Sequence, residues 1–443
     1  MKRIFVIGAG RSATTMIQYL LDKAEMEDWN VTVGDLDLEL AKEKIGDHPR
    51  GRAIVFNVMD EAVRKQEIEA ADLVISLLPP HMHVIPAKDC LSYNTNMVTA
   101  SYVSDAMAEM DEEVRAAGLI FLNEVGADPG IDHMSAMDMI HRAKDRGGKV
   151  TAFRSYCGAV VAPESNNLWG YKFTWAPRNI ILAGQGIAQY RRDGNIKYLP
   201  YHHLFRRYDE IQVPGYGAFE AYANRNSLKY APLYELDDTN TIYRATLRHP
   251  GFCDMWQALV EIGLTDNSMK LSNSQGITYR DFLFSFINEV PGKSDRESLA
   301  IFLKRSVDDP VVEKLDKMGL LGDEVFPHAN ASPADVLEHV LINKWVFEEG
   351  DTDLLVMQHK LEFEIDGKTH RMVASMVDKG RDADHTAISR TVGLPAAICA
   401  RLILRGDISA TGVRIPNFKE VYQPVLKELE EYDITFVEEE SIL

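Results

Sequence analysis

The chain opens on Ile4-Phe5-Val6-Ile7-Gly8-Ala9-Gly10-Arg11-Ser12-Ala13, an apolar strand that runs straight into a Gly-x-Gly-x-x-Ala turn. Gly8 permits the sharp bend, Gly10 lets the backbone approach a pyrophosphate, and Ala13 lets a helix pack closely on the strand. The N-terminus of that helix would then face the phosphates. The turn therefore predicts a dinucleotide-binding site.

A second apolar strand, residues 30–35, follows the predicted helix 12–26 and ends on Asp35. A carboxylate at this position accepts hydrogen bonds from ribose hydroxyls and repels a 2′-phosphate, so Asp35 favours NAD over NADP. Asp37 lies two residues on, and either carboxylate could instead cap the next helix. The candidate cofactor-binding residues are Gly8, Gly10, Arg11, Ser12, Ala13, Asp35, Leu77, Leu78, Ser101, Val125 and Asp128.

The composition is that of a globular protein with two or three domains. The chain has 443 residues, of which 46% are hydrophobic and 26% charged, and 67 acidic residues against 48 basic ones give a net charge of −19. This excess of negative charge would repel nucleic acids and anionic membranes, so we expect neither as a partner. An anionic cofactor or substrate would need backbone amides and a few convergent arginines to hold it.

Cysteine spacing and hydropathy indicate which metal sites, disulfides and membrane spans to expect. The four cysteines (Cys90, Cys157, Cys253 and Cys399) are widely spaced and form no C-x-x-C pair, so neither a structural metal nor a disulfide framework is expected. No run approaches the roughly 18 apolar residues that would span a bilayer, and the N-terminal apolar run has no small-residue cleavage site. We expect a cytoplasmic protein.

Strand and helix patterns alternate from residue 1 to about 125, including a single helix over 104–117. Such alternation predicts a doubly wound parallel sheet with helices on both faces, and ligands bind at the carboxyl ends of its strands. Ser76-Leu77-Leu78-Pro79-Pro80 ends one strand and Thr99-Ala100-Ser101-Tyr102 ends another. Both segments are expected on the nicotinamide side of the site, although turn chemistry alone would also explain the two prolines.

The pattern changes at 123–133, where turn formers indicate a domain junction before a helix over 134–146. Residues 149–250 predict an antiparallel sheet with helices, and 251–349 predict an all-α insertion with helices at 254–262, 279–288, 296–306 and 334–347. Strands are expected at 353–364 and 369–377 and a helix at 385–404. The acidic stretch 428–440 is interpreted as a solvated helix face and tail.

Several side chains could carry the chemistry of a nicotinamide enzyme, which needs proton-transfer groups and clamps for substrate carboxylates. Ser101 and Tyr102 are donors at a strand end, and Asp128 lies in the glycine-rich junction. Further along the chain are Cys157, where a strand gives way to a loop, the forked donors Arg225 and Arg248, and the hydroxyl of Thr246. Taken singly, a cysteine is more often a buried apolar residue and an arginine a surface charge. Together they indicate an NAD-dependent oxidoreductase acting on a small anionic substrate.

The chain resembles the saccharopine reductase family, the glutamate-forming saccharopine dehydrogenases. The motifs that carry this resemblance run in order along nearly the whole chain: Val98 to Val103, Asn123 to His133, Ser155 to Gly158, Gly170 to Trp175, Tyr222 to Arg225, Thr246 to Phe252, Thr391 to Ala397 and Thr411 to Val413.

The resemblance implies a homodimer of an α/β subunit with three parts. These are a Rossmann domain (1–127, completed by 396–443), a mixed α/β substrate-binding and dimerisation domain (128–250 and 350–395) and an all-α insertion (251–349). It also implies a reversible, metal-free reaction of saccharopine, NAD(P) and water to L-glutamate and 2-aminoadipate 6-semialdehyde. By motif, the substrate would meet Ser101, Tyr102, Asp128, Arg225, Thr246, Leu247 and Arg248, and the candidates for proton transfer are Tyr102, Asp128 and Cys157.

Two departures from the family pattern leave alternatives open. The acidic segment 34–37 stands where NADP-using members carry a basic residue, and Gly158-Ala159 and Asn167-Leu168-Trp169 replace a Gly-Gly pair and a typical Asn-Pro-Leu. The alternatives are a dehydrogenase of another carboxylated amine, such as a carboxylated polyamine or lysine, and a non-catalytic nucleotide-sensing Rossmann protein.

Overall fold

The computed structural model describes all 443 residues, which divide into two compact units. The first unit comprises Met1–Thr151, Pro232–Leu236 and Thr352–Leu443, and the second comprises Ala152–Ala231 and Asp237–Asp351. The division into three domains inferred from the sequence stays a prediction.

The N-terminal part of the first unit alternates strands and helices as the pattern predicts. Its elements are β1 (Lys2–Ile7), α1 (Thr14–Asp22), β2 (Trp29–Asp35), α2 (Leu38–Ile45), β3 (Gly51–Val55), α3 (Glu61–Glu69), β4 (Leu73–Ser76), α4 (Val84–Ser92), β5 (Asn96–Thr99), α5 (Asp105–Ala108), α6 (Asp111–Ala116), β6 (Ile120–Leu122) and α7 (Ile131–Asp145). The single helix predicted over 104–117 is wrong: the segment forms two helices, and Met107, Met110 and Val114 are all buried in the core.

The middle of the chain forms β7 (Lys149–Val161), α8 (Pro177–Ile181), β8 (Ile187–Arg192), β9 (Asn195–Pro200), α9 (Tyr201–Leu204), β10 (Tyr208–Val213), β11 (Gly217–Ala223), α10 (Tyr230–Leu233), β12 (Thr241–Arg248), α11 (Phe252–Ile262), α12 (Tyr279–Phe284), α13 (Asp295–Phe302), α14 (Pro310–Met318) and α15 (Pro333–Ile342). The strands of the second unit follow the order β10-β11-β12-β7. The expected antiparallel sheet is wrong for one pair, because β12 and β7 run parallel. The prediction also missed α14, which begins after a capping Asp309 with Pro310 in its first turn.

The C-terminal part of the first unit forms β13 (Asp353–Ile365), β14 (Lys368–Lys379), α16 (Ala387–Arg405), β15 (Gly412–Arg414), α17 (Lys419–Leu429) and β16 (Val437–Ile442). The stretch 428–440, interpreted as a solvated helix face and tail, begins at the end of α17, but its last part lies in the exposed strand β16, which pairs antiparallel with β14. Its acidic side chains are neutralised there, since Glu438 pairs with Arg142 and Glu440 with Arg146.

The first unit contains a seven-stranded parallel sheet in the order β15-β6-β5-β4-β1-β2-β3, which confirms the predicted doubly wound α/β fold. The strand order reverses between β1 and β4, so the crevice for a ligand opens at their carboxyl ends, beside Gly8 and Leu77. Helix α16 packs closely on α1, because a side chain at Gly393 would come within 2.9 Å of the Met16 amide nitrogen.

The expectation that no run approaches the length of a membrane span is wrong by length and composition, because α16 is long and apolar enough to cross a membrane. Within its 18-residue apolar window 78% is buried inside the chain, and Arg390 on this helix forms a buried ion pair with Asp378. These are properties of a core helix.

Candidate active site

The glycine turn after β1 has the local geometry that a dinucleotide needs. Gly8 has φ = +106°, a conformation that side chains disfavour, and a Cβ there would lie 3.3 Å from Leu77 Cβ. Gly10 has φ = −63°, and a Cβ built on it meets no atom within 4 Å. The backbone at Gly10 therefore borders open space on the face that a pyrophosphate would approach. The short helix Arg11–Ala13 begins directly after it, with Ala13 fully buried.

Asp35 and Asp37, the two candidate carboxylates after β2, have different roles. Asp37 caps α2 by accepting hydrogen bonds from the amides of Glu39 and Leu40, as the capping alternative proposed. Asp35 accepts one hydrogen bond from the Ala9 amide at 2.7 Å and another from the Asp37 amide at 3.0 Å. Asp35 thus ties the glycine turn to the end of β2 and places a negative charge beside the turn.

An exposed apolar patch lies next to Asp35 at the carboxyl ends of β2 and β3. Leu36, Val55 and Met59 form this patch, with 72%, 60% and 65% of their surfaces exposed. Neighbouring exposed apolar side chains are typical of surfaces that bind a ligand or another molecule. The patch fits a planar, weakly polar ring such as adenine, so the residues around the turn fit a dinucleotide.

Tyr102 and Asp128, two candidates for proton transfer, are brought together in the first unit. The Tyr102 hydroxyl donates a hydrogen bond to Asp128 Oδ1 at 3.2 Å, and both residues are half-buried. Asp128 is the one residue of the junction 123–133 that is not buried. Val125, a candidate for cofactor binding, has a completely buried side chain, so its backbone is the part a ligand can reach.

Glu124 fixes the main chain on both sides of Tyr102. Its amide donates to the Ser101 carbonyl at 3.0 Å, and its carboxylate accepts from the Val103 amide at 3.0 Å. The second carboxylate oxygen lies 2.8 Å from His133 Nε2, and Glu124 itself is held at φ = +58°. A non-glycine residue in this conformation is uncommon and is maintained here by its hydrogen bonds.

His83 links two hydroxyls at the ends of β4 and β5. Its Nδ1 lies 2.8 Å from Ser76 Oγ, and its Nε2 lies 2.8 Å from Ser101 Oγ. Burial, with a smaller contribution from the nearby His81, lowers the pKa of His83 to about 4. The imidazole is therefore neutral at pH 7, with one nitrogen donating and the other accepting.

One face of β12 carries polar groups in the second unit. Side chains alternate along a strand, so Arg244, Thr246 and Arg248 share this face, whereas Leu247 points to the opposite one. In the neighbouring strands Thr246 stands opposite Tyr222 on β11 and opposite Cys157 on β7. Because the Leu247 side chain is completely buried on the other face, a ligand could contact only its backbone.

Arg248 is buried among aromatic rings. Only 4% of its surface is exposed, and its guanidinium carbon lies 5.3, 5.7 and 5.4 Å from the ring centroids of Tyr171, Tyr222 and Phe252. Its Nη1 donates to the Leu247 carbonyl at 2.8 Å, and its Nε has no hydrogen-bond partner. The buried Glu220 stands opposite Arg248 on β11, but its carboxylate accepts from the Gly251 and Cys253 amides and forms no ion pair with the guanidinium. Burial of a cation without an ion-pair partner is costly, so this guanidinium has the properties of an anion-binding group.

Cys157 and Arg225 are the two remaining site candidates of the second unit. The expectation that Cys157 lies where a strand gives way to a loop is wrong, because β7 continues to Val161. Gly158 makes this continuation possible: a side chain there would come within 2.3 Å of the Leu247 carbonyl oxygen on β12. Arg225 follows β11, is exposed and has φ = +46°; its carbonyl accepts from the Gln189 amide at 2.8 Å.

Sequence reasoning missed Glu124, His83 and Arg244. Arg244 could have been found from the alternation along β12, since it lies two residues before Thr246; its guanidinium carbon is 4.2 Å from the Tyr230 ring centroid. Glu124 and His83 gave no local signal, because their roles depend on hydrogen bonds to residues distant in the chain.

Comparisons with known proteins agree with this architecture. The saccharopine dehydrogenase NADP binding domain matches residues 4–122, and the saccharopine dehydrogenase C-terminal domain matches residues 126–434. The chain belongs to the saccharopine dehydrogenase family. The polar residues of β12 lie in the part matched by the C-terminal domain, and the glycine turn lies in the part matched by the NADP binding domain.

Members of the saccharopine dehydrogenase family match along the full length. The chain is 32% identical over 450 residues to the NADP(+), L-glutamate-forming saccharopine dehydrogenase of Saccharomyces cerevisiae, covering 100% of this chain and 99% of that one. It is 33% identical over 451 residues to the protein of the same name from Schizosaccharomyces pombe, covering 99% of each. The structure of apo saccharopine dehydrogenase (L-Glu forming) from Saccharomyces cerevisiae superposes with a TM-score of 0.89, at 31% identity and full coverage of both chains.

Proposed function

We propose that the chain is an NAD(P)-dependent saccharopine dehydrogenase of the glutamate-forming type. It would convert saccharopine, the oxidised dinucleotide and water, reversibly, to L-glutamate, 2-aminoadipate 6-semialdehyde, the reduced dinucleotide and a proton. Full-length similarity to curated enzymes of this name supports the proposal. The observation that carries it for this chain is Arg248, a buried guanidinium with an unpartnered Nε.

The dinucleotide would be held by the glycine turn, with the Gly10 backbone at the pyrophosphate and the apolar patch at the adenine. When bound, its nicotinamide supplies the acceptor for the hydride that leaves the carbon next to the secondary amine. Tyr102 and Asp128 are suited to proton transfer, because a phenol and a carboxylate in direct hydrogen bond can pass a proton between them. Cys157 stays a third candidate for this role.

The substrate carboxylates would be bound by arginines of the second unit. Arg248 offers a planar fork of donors that matches a carboxylate in two-point geometry. Thr246, on the same face of β12, adds a hydroxyl that can donate to the same substrate. Arg225 is the second proposed clamp.

The experiment is a comparison of amines as substrates for the purified protein with each dinucleotide. Saccharopine should reduce the dinucleotide, whereas lysine and a carboxylated polyamine should react at least about a hundredfold more slowly, because their missing carboxylates leave a buried arginine unpaired. Faster turnover of one of those amines would replace saccharopine as the substrate. Dinucleotide binding without turnover of any amine would favour the nucleotide-sensing alternative.

For the cofactor, we propose a preference for NAD over NADP. Residues 34–41 contain Asp35, Asp37 and Glu39 but no lysine or arginine that would neutralise a 2′-phosphate. The relatives from Saccharomyces cerevisiae and Schizosaccharomyces pombe are named as NADP(+) enzymes. The preference is therefore tested by comparing kcat/KM measured with NAD to kcat/KM measured with NADP. A higher kcat/KM with NADP would refute the proposed preference.

We also propose a cytoplasmic homodimer without nucleic-acid or membrane partners. The resemblance to the family supports the dimer, and the net charge of −19 supports the absence of polyanionic partners. Sedimentation equilibrium of the purified chain would test the oligomeric state: a monomer at micromolar concentration would refute the dimer.

A further inference from the structure

Ser76, His83 and Ser101 form a hydrogen-bonded row at the carboxyl ends of β4 and β5. Ser76 is the last residue of β4 and is fully buried, the His83 ring is 3% exposed, and Ser101 is half-buried. The two hydrogen bonds measure 2.8 Å each. The row therefore runs from the interior of the sheet to the edge where a Rossmann fold binds its ligand.

The direction of these hydrogen bonds follows from the buried end. The hydrogen of the Ser76 hydroxyl needs an acceptor, and the only side-chain or backbone group bonded to Ser76 Oγ is His83 Nδ1. If Nδ1 accepts, the neutral ring must carry its proton on Nε2. Ser101 Oγ at 2.8 Å is the better acceptor for this proton, because Thr99 Oγ1 lies 3.5 Å from both ring nitrogens. The reverse arrangement would leave the buried Ser76 hydrogen without an acceptor, which is unfavourable.

We propose that His83 is a positioning residue that keeps the Ser101 hydroxyl a hydrogen-bond donor, aimed at an acceptor oxygen of the bound dinucleotide or of the amino-acid substrate. Since Ser101 Oγ accepts from His83, its own hydrogen is available to that ligand. The row is not a path for protons, because Ser76 at its inner end is sealed from solvent. This inference rests on the proposed function only in taking Ser101 as a ligand-binding residue.

The first test reads the tautomer in the unmodified protein. In ¹⁵N-histidine NMR at pH 7, His83, assigned by the loss of its signals in His83→Gln, should be neutral with its proton on Nε2. In Ser76→Ala the constraint is removed, and the signals should shift towards a mixture of tautomers. A proton on Nδ1 in the unmodified protein would overturn the proposal, whether or not saccharopine is turned over.

The second test is a double-mutant cycle with functional readouts. His83→Leu, combined with Ser76→Ala so that no buried hydroxyl is orphaned, should weaken ligand binding about tenfold, the worth of one hydrogen bond. His83→Gln can accept from Ser76 and donate to Ser101, so it should stay within about threefold of the unmodified protein. Ser92→Ala, at an exposed serine of the helix α4 that follows His83, is the matched control.

The cycle separates positioning from a merely structural role. In a Ser101→Ala background, the same change at His83 should have less than about a twofold further effect, because the group it acts through is gone. Effects that add instead would refute the proposal. The dissociation constant of the dinucleotide alone and the KM of saccharopine identify which ligand supplies the acceptor oxygen; an unchanged value for both would also refute it.

Discussion

Replacing Arg248 by methionine should separate substrate binding from stability. Methionine is close in length to arginine and apolar, so it keeps the packing against Tyr171, Tyr222 and Phe252 while removing the charge. In the absence of substrate, the change loses cation–π contacts to three rings, about 0.5–1 kcal/mol each, and removes a buried orphaned donor, which costs about 1–3 kcal/mol. These contributions nearly cancel, and we expect the free energy of unfolding to change by less than about 1.5 kcal/mol.

The effect on saccharopine turnover should be much larger. Loss of one partner from a buried, hydrogen-bonded charge pair costs about 2–5 kcal/mol, so a central value of about 3 kcal/mol lowers kcat/KM roughly 150-fold. Most of the loss should appear in KM, because the carboxylate is bound in the ground state as well as in the transition state. Arg248→Lys keeps the charge without the fork and should lie between the two proteins.

The assay is dinucleotide reduction at varied saccharopine, paired with urea unfolding of each variant. Arg206→Met is the matched control: Arg206 also belongs to the second unit, but it is exposed and pairs with Glu261. The control should leave kcat/KM unchanged. If Arg248→Met retained kcat/KM within threefold of the unmodified protein, the carboxylate would be bound elsewhere and the reasoning would fail.

Three further predictions follow from single positions in the first unit. Gly10→Ala should leave the melting temperature unchanged, because its Cβ meets nothing within 4 Å, but should weaken dinucleotide binding about tenfold by titration; equal binding would place the phosphates elsewhere. Glu124→Ala removes the hydrogen-bond partner of the Val103 amide and of His133 Nε2 and should lower the free energy of unfolding by about 3 kcal/mol. In the same variant kcat should fall by a larger factor than KM changes. Glu124→Gln should recover most of the stability and most of kcat. Burial raises the pKa of Asp353 to about 6, above its unfolded value of about 3.9, so its stabilising effect is complete below pH 4 and is lost as pH rises through 6. Relative to Asp353→Asn, the unmodified protein should therefore lose about 2–3 kcal/mol of unfolding free energy between pH 4 and 6.5, and parallel stability curves would contradict this.

The parallel sheet could be predicted because its signals are local. Each strand of the N-terminal part is a short apolar run, each helix follows within a few residues, and the bend at Gly8 requires a residue that tolerates φ = +106°. The capping role of Asp37 is also encoded locally, since its side chain accepts hydrogen bonds from the amides two and three residues ahead of it. The ends of strands could thus be placed, and with them Ser101 and Tyr102.

The remaining errors arise where distant segments decide the structure. The acidic run 437–442 becomes a strand only because β14 offers it a partner edge, and because Arg142 of α7 and Arg146 just after that helix pair with its glutamates. Cys157 stays within a strand because Gly158 allows β7 to approach β12 closely. Neither condition can be read from the residues next to it, and the same holds for Glu124 and His83, whose hydrogen-bond partners lie up to 21 residues away.

Comparison with other buried arginines of this chain indicates that Arg248 serves to bind a ligand rather than to stabilise the fold. Where a guanidinium is buried for structural reasons, a carboxylate is buried with it: Arg64 pairs with Asp89, and Arg390 makes three hydrogen bonds of 3.0–3.2 Å to Asp378. Such pairing is what offsets the cost of removing charge from water. Arg248 is as deeply buried as these two, yet its only hydrogen bond is to a neighbouring carbonyl, and it lies among aromatic rings.

The buried Glu220 stands opposite Arg248 on β11, but that carboxylate accepts from the Gly251 and Cys253 amides and forms no ion pair with Arg248. A substrate carboxylate would complete the ion pair with Arg248, and the surrounding aromatic rings would exclude water from that pair. A substrate that lacks this carboxylate should therefore lose more kcat/KM than the contact area of the missing group alone implies.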